Sequence, residues 1–329
     1  MRAVYYRRQG AAAEVLELGD LPKPVPARGE VLVRIEVSGI NPSDIKNRSG
    51  FAFKMPFPLI VPHQDGAGVI EDVGEGVSRS RVGERVWIFE AQTGRARGTA
   101  AEYVAVPSDN AVPLPDETSF EIGASLGVPA MTAHRCLFAG GELRGRRVLV
   151  QGGAGAVGSG AIQLAKWAGA WVAATVRRPE QLEVARAAGA DLVIDLAADS
   201  VETEITSHTR GEGVDRIVEV DLSANLDVDL KCLASGGSIS AYSTHNPKES
   251  ILLPTMPAML GNAAVRFVYV YTMPTSAKRM AIREISECLL TKVYNPKIGL
   301  ILPLRRTVEG HLAVESGTIG KTLIRLDAE

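Results

Sequence analysis

The chain has 329 residues, 46% of them hydrophobic and 22% charged, a composition that fits a globular protein of about two domains. Its 36 Lys and Arg against 38 Asp and Glu leave a formal charge of −2, which excludes recognition of nucleic acid or an anionic membrane through bulk positive charge. Cys136, Cys232 and Cys288 are too few for a four-cysteine zinc lobe; odd in number and far apart, they point to a reducing, cytoplasmic setting rather than to disulfides. Residues 1–10 carry three arginines and no leader-like apolar run, and the apolar stretch at 263–272 is broken by Arg266, so no targeting segment or membrane span is expected.

The first third has the pattern of β structure. Residues 30–37 alternate, with Val31, Val33, Ile35 and Val37 on one face and Arg34 and Glu36 on the other. Short strands follow at 66–71 and 85–89, separated by turn glycines, and prolines from Pro22 to Pro62 argue against helices there. An irregular β-barrel or sandwich is expected. Past Pro115 the texture changes. Helical runs at 120–126 and 130–139 lead into alternation, with strands at 147–151, 171–176, 192–194, 216–220, 238–242 and 264–271. Helices are expected at 158–169, 180–188, 224–233 and 276–292. Such spacing implies βαβ units and a parallel sheet covered on both faces. From Pro296 the chain returns to short strands and is expected to rejoin the first domain. The boundaries are set at residues 1–122, 123–293 and 294–329.

The sharpest signal is the run from Gly152 to Gly158, directly after the strand at 147–151 and before a helical pattern. Gly153, Gly155 and Gly158 satisfy G-x-G-x-x-G, with Ala154, Ala156 and Val157 between them. The first glycine allows a tight turn, the second lets the backbone approach a pyrophosphate, and the third lets the helix pack on the strand. Backbone N–H groups and the positive helix end then face the phosphates. At the end of the next strand, where an acid would bind the ribose diol of NAD, stands Val176, followed by Arg177 and Arg178. A guanidinium suits a ribose 2′-phosphate, which favours NADPH over NADH. Two other readings stay open: both arginines solvated, or Glu180 supplying the acid.

Ordered along nearly the whole chain are Gly39-Ile40-Asn41-Pro42, Asp65-Gly66-Ala67-Gly68, Val82-Gly83-Glu84-Arg85-Val86, Gly127-Val128-Pro129, the glycine loop, Gly236-Gly237 and Gly320-Lys321. In these motifs the sequence resembles the medium-chain dehydrogenase/reductase superfamily, and within it the zinc-independent, zeta-crystallin-like quinone oxidoreductases. The resemblance implies an α/β chain. A GroES-like β-barrel catalytic domain would hold the substrate, and a Rossmann doubly wound parallel sheet would hold NADPH, with the active site in the cleft between them. It implies a homodimer, contacts from Thr132 and Lys321 to the cofactor, with a structural role inside a helix left open for Thr132, and a polar role for Asn41 toward a developing oxyanion or the nicotinamide ribose. A turn-forming role for Asn41 before Pro42 stays open.

The same resemblance places the superfamily's zinc ligands at Asn41, Gln64 and Val128, none of them a good ligand, so no metal is expected. His63, one position off, leaves a slipped ligand conceivable. Hydride would then pass directly to a quinone or another α,β-unsaturated carbonyl. Lys46 and Ala52 replace the tyrosines of the zeta-crystallin-like segment. Asp44 and Lys46 are therefore candidates to supply a proton, against the alternative of a surface ion pair. Tyr103 and His134 are weaker candidates for an acid. Phe267, Tyr269 and Tyr271 alternate as core, subunit edge or substrate wall. The competing functions are an enoyl-thioester reductase and an NADPH-binding protein with a structural or RNA-binding role, the last disfavoured by the charge.

Overall fold

The computed structural model describes residues 1–326. The chain divides into two compact units, one formed by residues 1–129 with the segment from Pro296, the other by residues 130–295.

In the first unit, β1 (Arg2–Tyr5) and β2 (Glu17–Asp20) form a two-stranded sheet around α1 (Ala12–Val15). The long strand β3 (Glu30–Ile40) leads through α2 (Pro42–Ser49) to β4 (Asp65–Val73), β5 (Arg85–Ile88), β6 (Tyr103–Pro107) and β7 (Ala111–Pro113). One face of β3 supplies Val31, Val33 and Ile35 to a core completed by Ile70, Val86, Ile88, Val104 and Val106. This is the period-two pattern of the sequence made physical.

Two short helices follow, α3 (Phe120–Gly123) and α4 (Gly127–Phe138), and the division between the units falls within α4. The second unit is a six-stranded parallel sheet of β8 (Arg147–Val150), β9 (Trp171–Val176), β10 (Leu192–Asp195), β11 (Val214–Glu219), β12 (Leu233–Ala241) and β13 (Ala264–Phe267). Its order, β10-β9-β8-β11-β12-β13, steps outward in both directions from β8, the doubly wound arrangement with its switch point beside β8. The intervening helices are α5 (Ala156–Trp167), α6 (Pro179–Ala187), α7 (Val201–His208), α8 (Leu222–Cys232), α9 (Thr255–Leu260) and α10 (Thr275–Leu290). The chain then returns to the first unit as β14 (Ile298–Pro303), α11 (Thr307–Glu315) and β15 (Lys321–Arg325). There β15 pairs antiparallel with the end of β3 and completes a seven-stranded sheet.

Several local expectations are corrected. The proline-rich stretch does contain a helix, α2, because Pro42 sits in its first turn, where no N–H is needed, and Gly50 ends it at φ 80°. The helix expected at 120–126 is a single turn, and a new helix starts at Gly127. The strand expected at 264–271 stops at Phe267 and passes into a 3-10 turn at Val270–Thr272. Phe267 and Tyr269 are exposed while Val268 and Val270 are buried, so the first two are not part of the core. The helices α7 and α11 were not foreseen; β-branched Val201, Thr203 and Ile205 weaken the helical signal of the first.

Close strand pairing in the first unit depends on glycine at position 68, where a Cβ would lie 2.0 Å from the Arg34 carbonyl oxygen. Gly68→Ala should therefore cost about 1–3 kcal/mol, seen as a lower urea midpoint at unchanged m-value.

Candidate functional site

Three strand ends meet in the first unit. Register sets Gly39 of β3 opposite Asp65 of β4 and Thr322 of β15 opposite Ile40 of β3. Asn41, Asp65 and Lys321 are thereby brought together although they lie far apart in sequence. All three are buried. Asp65 Oδ2 accepts from Asn41 Nδ2 at 2.8 Å and from Lys321 Nζ at 2.9 Å, and its Oδ1 accepts the Val128 N–H at 2.8 Å. Lys321 Nζ also donates to Asn41 Oδ1 at 2.5 Å. A Cβ on Gly127 would lie 2.1 Å from Asp65 Oδ1, so the glycine makes room for the carboxylate at the positive N-terminal end of α4.

This ring fixes the Asn41 amide. Lysine can only donate and a carboxylate only accept, so the amide oxygen must face Lys321 and the nitrogen must face Asp65. One amide N–H is left over, in a defined direction. Asp44, the third residue of α2, accepts the Asn41 backbone N–H at 2.8 Å. Burial and the Asp65 charge push its carboxyl up to about 7, against the pull of its hydrogen bonds to Asn41 and of Lys321. Its second oxygen is buried without a hydrogen bond.

Lys46 does not join this group. It stands two positions beyond Asp44, on a different face of α2, with its ammonium 4.9 Å from the centre of the Phe51 ring. The expected Asp44–Lys46 pairing is corrected accordingly. Lys321, expected among the cofactor contacts, donates two of its three ammonium N–H groups, to Asn41 and to Asp65.

Of the positions aligned with zinc ligands, Asn41 and Val128 both serve Asp65, while Gln64 Oε1 accepts from Gln92 N at 3.1 Å and Thr93 Oγ1 at 3.0 Å. His63, buried at φ 79°, has both ring nitrogens engaged. Thr99 Oγ1 donates to the Asp65 carbonyl at 2.5 Å, so Ser38 Oγ must donate to Thr99 (2.7 Å) and His63 Nδ1 to Ser38 (2.8 Å). His63 Nε2 then accepts from His311 Nε2 at 3.0 Å, and both rings are neutral. Burial lowers both histidines, helped by mutual charge and Lys321 at His63 and by Arg48 at His311, the latter to about 3. Among the described residues no group of three His, Cys, Asp or Glu could hold a metal ion.

In the second unit the glycine loop joins β8 to α5, with Gly155 as N-cap. A Cβ on Gly153 would meet Ala174 Cβ at 2.7 Å, and one on Gly158 would meet the Gly152 carbonyl oxygen at 2.2 Å. These two glycines are required by the fold itself. Gly155 differs: its Cβ would find only the Gly152 oxygen, at 3.5 Å, and its φ of −71° suits any residue. Among the described residues only the Gly152 oxygen comes within 4 Å of this exposed side of the loop, which leaves room for a ligand to approach the backbone. Ala154 is buried, while Ala156 and Val157 open the helix half-exposed. Arg177 and Arg178 are exposed just past β9, with Arg178 Nε 3.4 Å from Glu180. Thr132 is buried in α4, and His134 is buried with Nε2 2.7 Å from Glu284, a packed pair.

Similarity to known proteins agrees with this geometry. The family model for zinc-binding dehydrogenases matches residues 156–287, and that for the alcohol dehydrogenase GroES-like domain matches residues 27–116. Quinone oxidoreductase of Rattus norvegicus is 31% identical, covering 99% of this chain and 98% of its own. The chain belongs to the quinone oxidoreductase branch of the medium-chain dehydrogenases/reductases. Among solved structures, an NAD-dependent alcohol dehydrogenase matches at TM-score 0.88 and 30% identity, covering 99% of this chain and 100% of that one. The quinone oxidoreductase of Thermus thermophilus, solved also in complex with NADPH, matches at TM-score 0.83 and 28% identity over 99% and 100% of the two chains. The first unit thus carries this family's GroES-like domain, and the second its dinucleotide-binding fold.

Sequence reasoning noted Asp65 but did not see it as a hub, and it did not place Lys321 beside Asn41. The available signal was the pairing of motif ends: Asn41 closes one strand, Asp65 opens the next, and Lys321 opens the last. Lys321→Met leaves the Asp65 charge buried without its cation and should cost about 3–5 kcal/mol of stability by denaturant titration. Adding Asp65→Asn should restore most of the loss.

Proposed function

We propose that the protein is a zinc-independent, NADPH-dependent reductase that delivers hydride to a quinone or another α,β-unsaturated carbonyl. The observation that carries this reading is the open side of the glycine loop at Gly155, where the fold needs no glycine and a pyrophosphate does. NADPH supplies the hydride when bound. The loop N–H groups and the α5 N-terminus hold its phosphates, and Arg177 and Arg178 take the ribose 2′-phosphate through charge-assisted hydrogen bonds.

Asn41 offers its remaining amide N–H to the acceptor oxygen as negative charge develops there, and Asp65 and Lys321 keep that amide from rotating. Asp44 holds the Asn41 backbone from the other side. Zinc independence is supported by the donor set, since an amide, a second amide and a valine occupy the aligned ligand positions. The quinone oxidoreductases of rat and Thermus thermophilus support the substrate class and the cofactor by their names and, for the latter, its NADPH complex. A cytoplasmic setting goes with the three cysteines, all free thiols and buried. No helix among the described residues is long and apolar enough to cross a membrane.

The reading includes a homodimer. β13 is the outer strand of its sheet, and Phe267 (75% exposed), Tyr269, Met256, Met259 and Leu260 leave a large apolar surface on β13 and nearby segments. Light scattering should give twice the chain mass, and Phe267→Glu with Met259→Glu should give the monomer; a wild-type monomer would remove this part of the reading.

Turnover decides the rest. NADPH oxidation should be seen with a quinone or an enone, should be slower with an enoyl thioester, and should be unaffected by a chelator. Asn41→Ala should lower kcat by about a hundredfold with NADPH affinity unchanged. Arg177→Ala with Arg178→Ala should weaken NADPH about tenfold more than NADH. Loss of activity on chelation, or equal effects on the two nucleotides, would overturn the corresponding part.

A further inference from the structure

A second cluster of buried ionisable groups, unused by the proposed reaction, lies at the C-terminal ends of β8, β9 and β11, three neighbours in the parallel sheet. Glu219 ends β11 and Asp229 projects from α8; both have zero exposure. Glu219 Oε1 accepts from the Asp221 N–H and from Asn225 Nδ2, the latter at 3.0 Å. Asp229 Oδ1 accepts from Gln151 Nε2 at 2.8 Å. The remaining oxygens, Glu219 Oε2 and Asp229 Oδ2, are buried with no hydrogen-bond partner, and the two carboxyl groups are near enough for the charge of Glu219 to act on Asp229. Two buried carboxylates with no cation beside them resist ionising together, and a proton on one would let it donate to the unpartnered oxygen of the other.

Asp221 faces Glu219 and adds negative charge, its own carboxylate lying 3.4 Å from the exposed His245 Nε2. Tyr242 lies near Glu219 and Cys232 near Asp229, and burial raises both. Neither Glu219 nor Asp229 forms an ion pair among the described residues. Burial first, and the Glu219 charge second, push Asp229 well above the usual carboxylate range; burial also raises Glu219.

From this pair a single line of hydrogen bonds reaches the glycine loop. Gln151 donates to Asp229, its Oε1 accepts from Thr175 Oγ1 at 2.8 Å, and Thr175 Oγ1 accepts the Gly152 N–H at 3.1 Å. With its only proton given to Gln151, Thr175 can serve Gly152 solely as acceptor, so each link has one direction. The anchor at the far end is the carboxyl pair. We propose that Glu219 and Asp229 share one proton and act, through Gln151 and Thr175, as positioning residues for the glycine loop, so that dinucleotide binding weakens when that proton is lost to solvent. Two adjacent buried charges would push the pair apart, pull the Gln151 amide out of line and place extra negative charge near the phosphate site.

This inference rests on the reading that the loop binds NADPH, and the test separates the two. NADPH affinity of the wild type, Asp229→Asn and Asp229→Ala is measured by fluorescence titration between about pH 7 and 10, where the nucleotide phosphates no longer titrate. Above the pH at which the pair ionises, the wild-type Kd should rise by up to about tenfold per pH unit. Asp229→Asn keeps an acceptor for Gln151 and a permanent donor for Glu219, so its profile should be flat. Asp229→Ala removes the acceptor and should bind about fivefold more weakly even at neutral pH. Matching profiles for the wild type and Asp229→Asn, or unchanged binding by Asp229→Ala, would overturn the proposal.

A wild type that does not bind NADPH at neutral pH would instead sink the cofactor reading. The carboxyl pair is then tested by melting temperature alone. A carboxyl kept protonated in the folded chain loses stability as pH rises from the unfolded value toward its folded one. The wild type should therefore fall relative to Asp229→Asn across that range; parallel curves refute the shared proton.

Discussion

The first unit is organised around one buried carboxylate. Asp65 gathers an amide, an ammonium and a helix N-terminal N–H from three other parts of the chain, so all four strand and helix ends must be in place together. A buried carboxylate left alone would be costly, and here its lone pairs are taken up by a cation and two N–H donors. The arrangement explains three small features at once: glycine at 127, the return of the last strand to the first unit, and the rigid Asn41 amide. A side chain at 127 would displace the carboxylate, and without β15 the carboxylate would have no cation.

The two units handle buried charge in different ways. Beside Asp65 the protein pairs opposite charges and keeps the neighbouring histidines neutral, since a protonated ring next to Lys321 would add a second buried cation. Around Gln151 it buries two acids that form no ion pair among the described residues, and burial raises both. In each case the polar groups form a directed chain, ending on Asn41 in one unit and on the glycine loop in the other. Such chains are rigid because every member has a single remaining role.

Much of the architecture was legible because it rests on periodicity and on turn residues. Alternation in β3 and strand–helix spacing in the second unit gave the layers, and the glycine run gave the turn between β8 and α5. The failures were local. Pro42 was taken as a breaker where it opens a helix, and the strand through Phe267 was extended into a turn that keeps its alternating exposure. Asp44 and Lys46 were paired because they are close in sequence, yet a helix sends residues two apart to different faces.

By itself the sequence determined what depends on near neighbours: a glycine-rich turn between strand and helix, two classes of secondary structure in two regions, and an amide, a second amide and a valine where zinc ligands would stand. The tertiary structure alone decided which distant side chains meet. Lys321 is 280 residues from Asn41, and its place follows from the register of β15 on β3. Asp229 and Glu219 look like ordinary charged residues in the sequence and become buried acids acting on each other only when α8 packs against β11. The physical reason is common to both. Removal from water turns a solvated charge into one that must find a partner, and the partner is chosen by strand order and packing rather than by sequence distance.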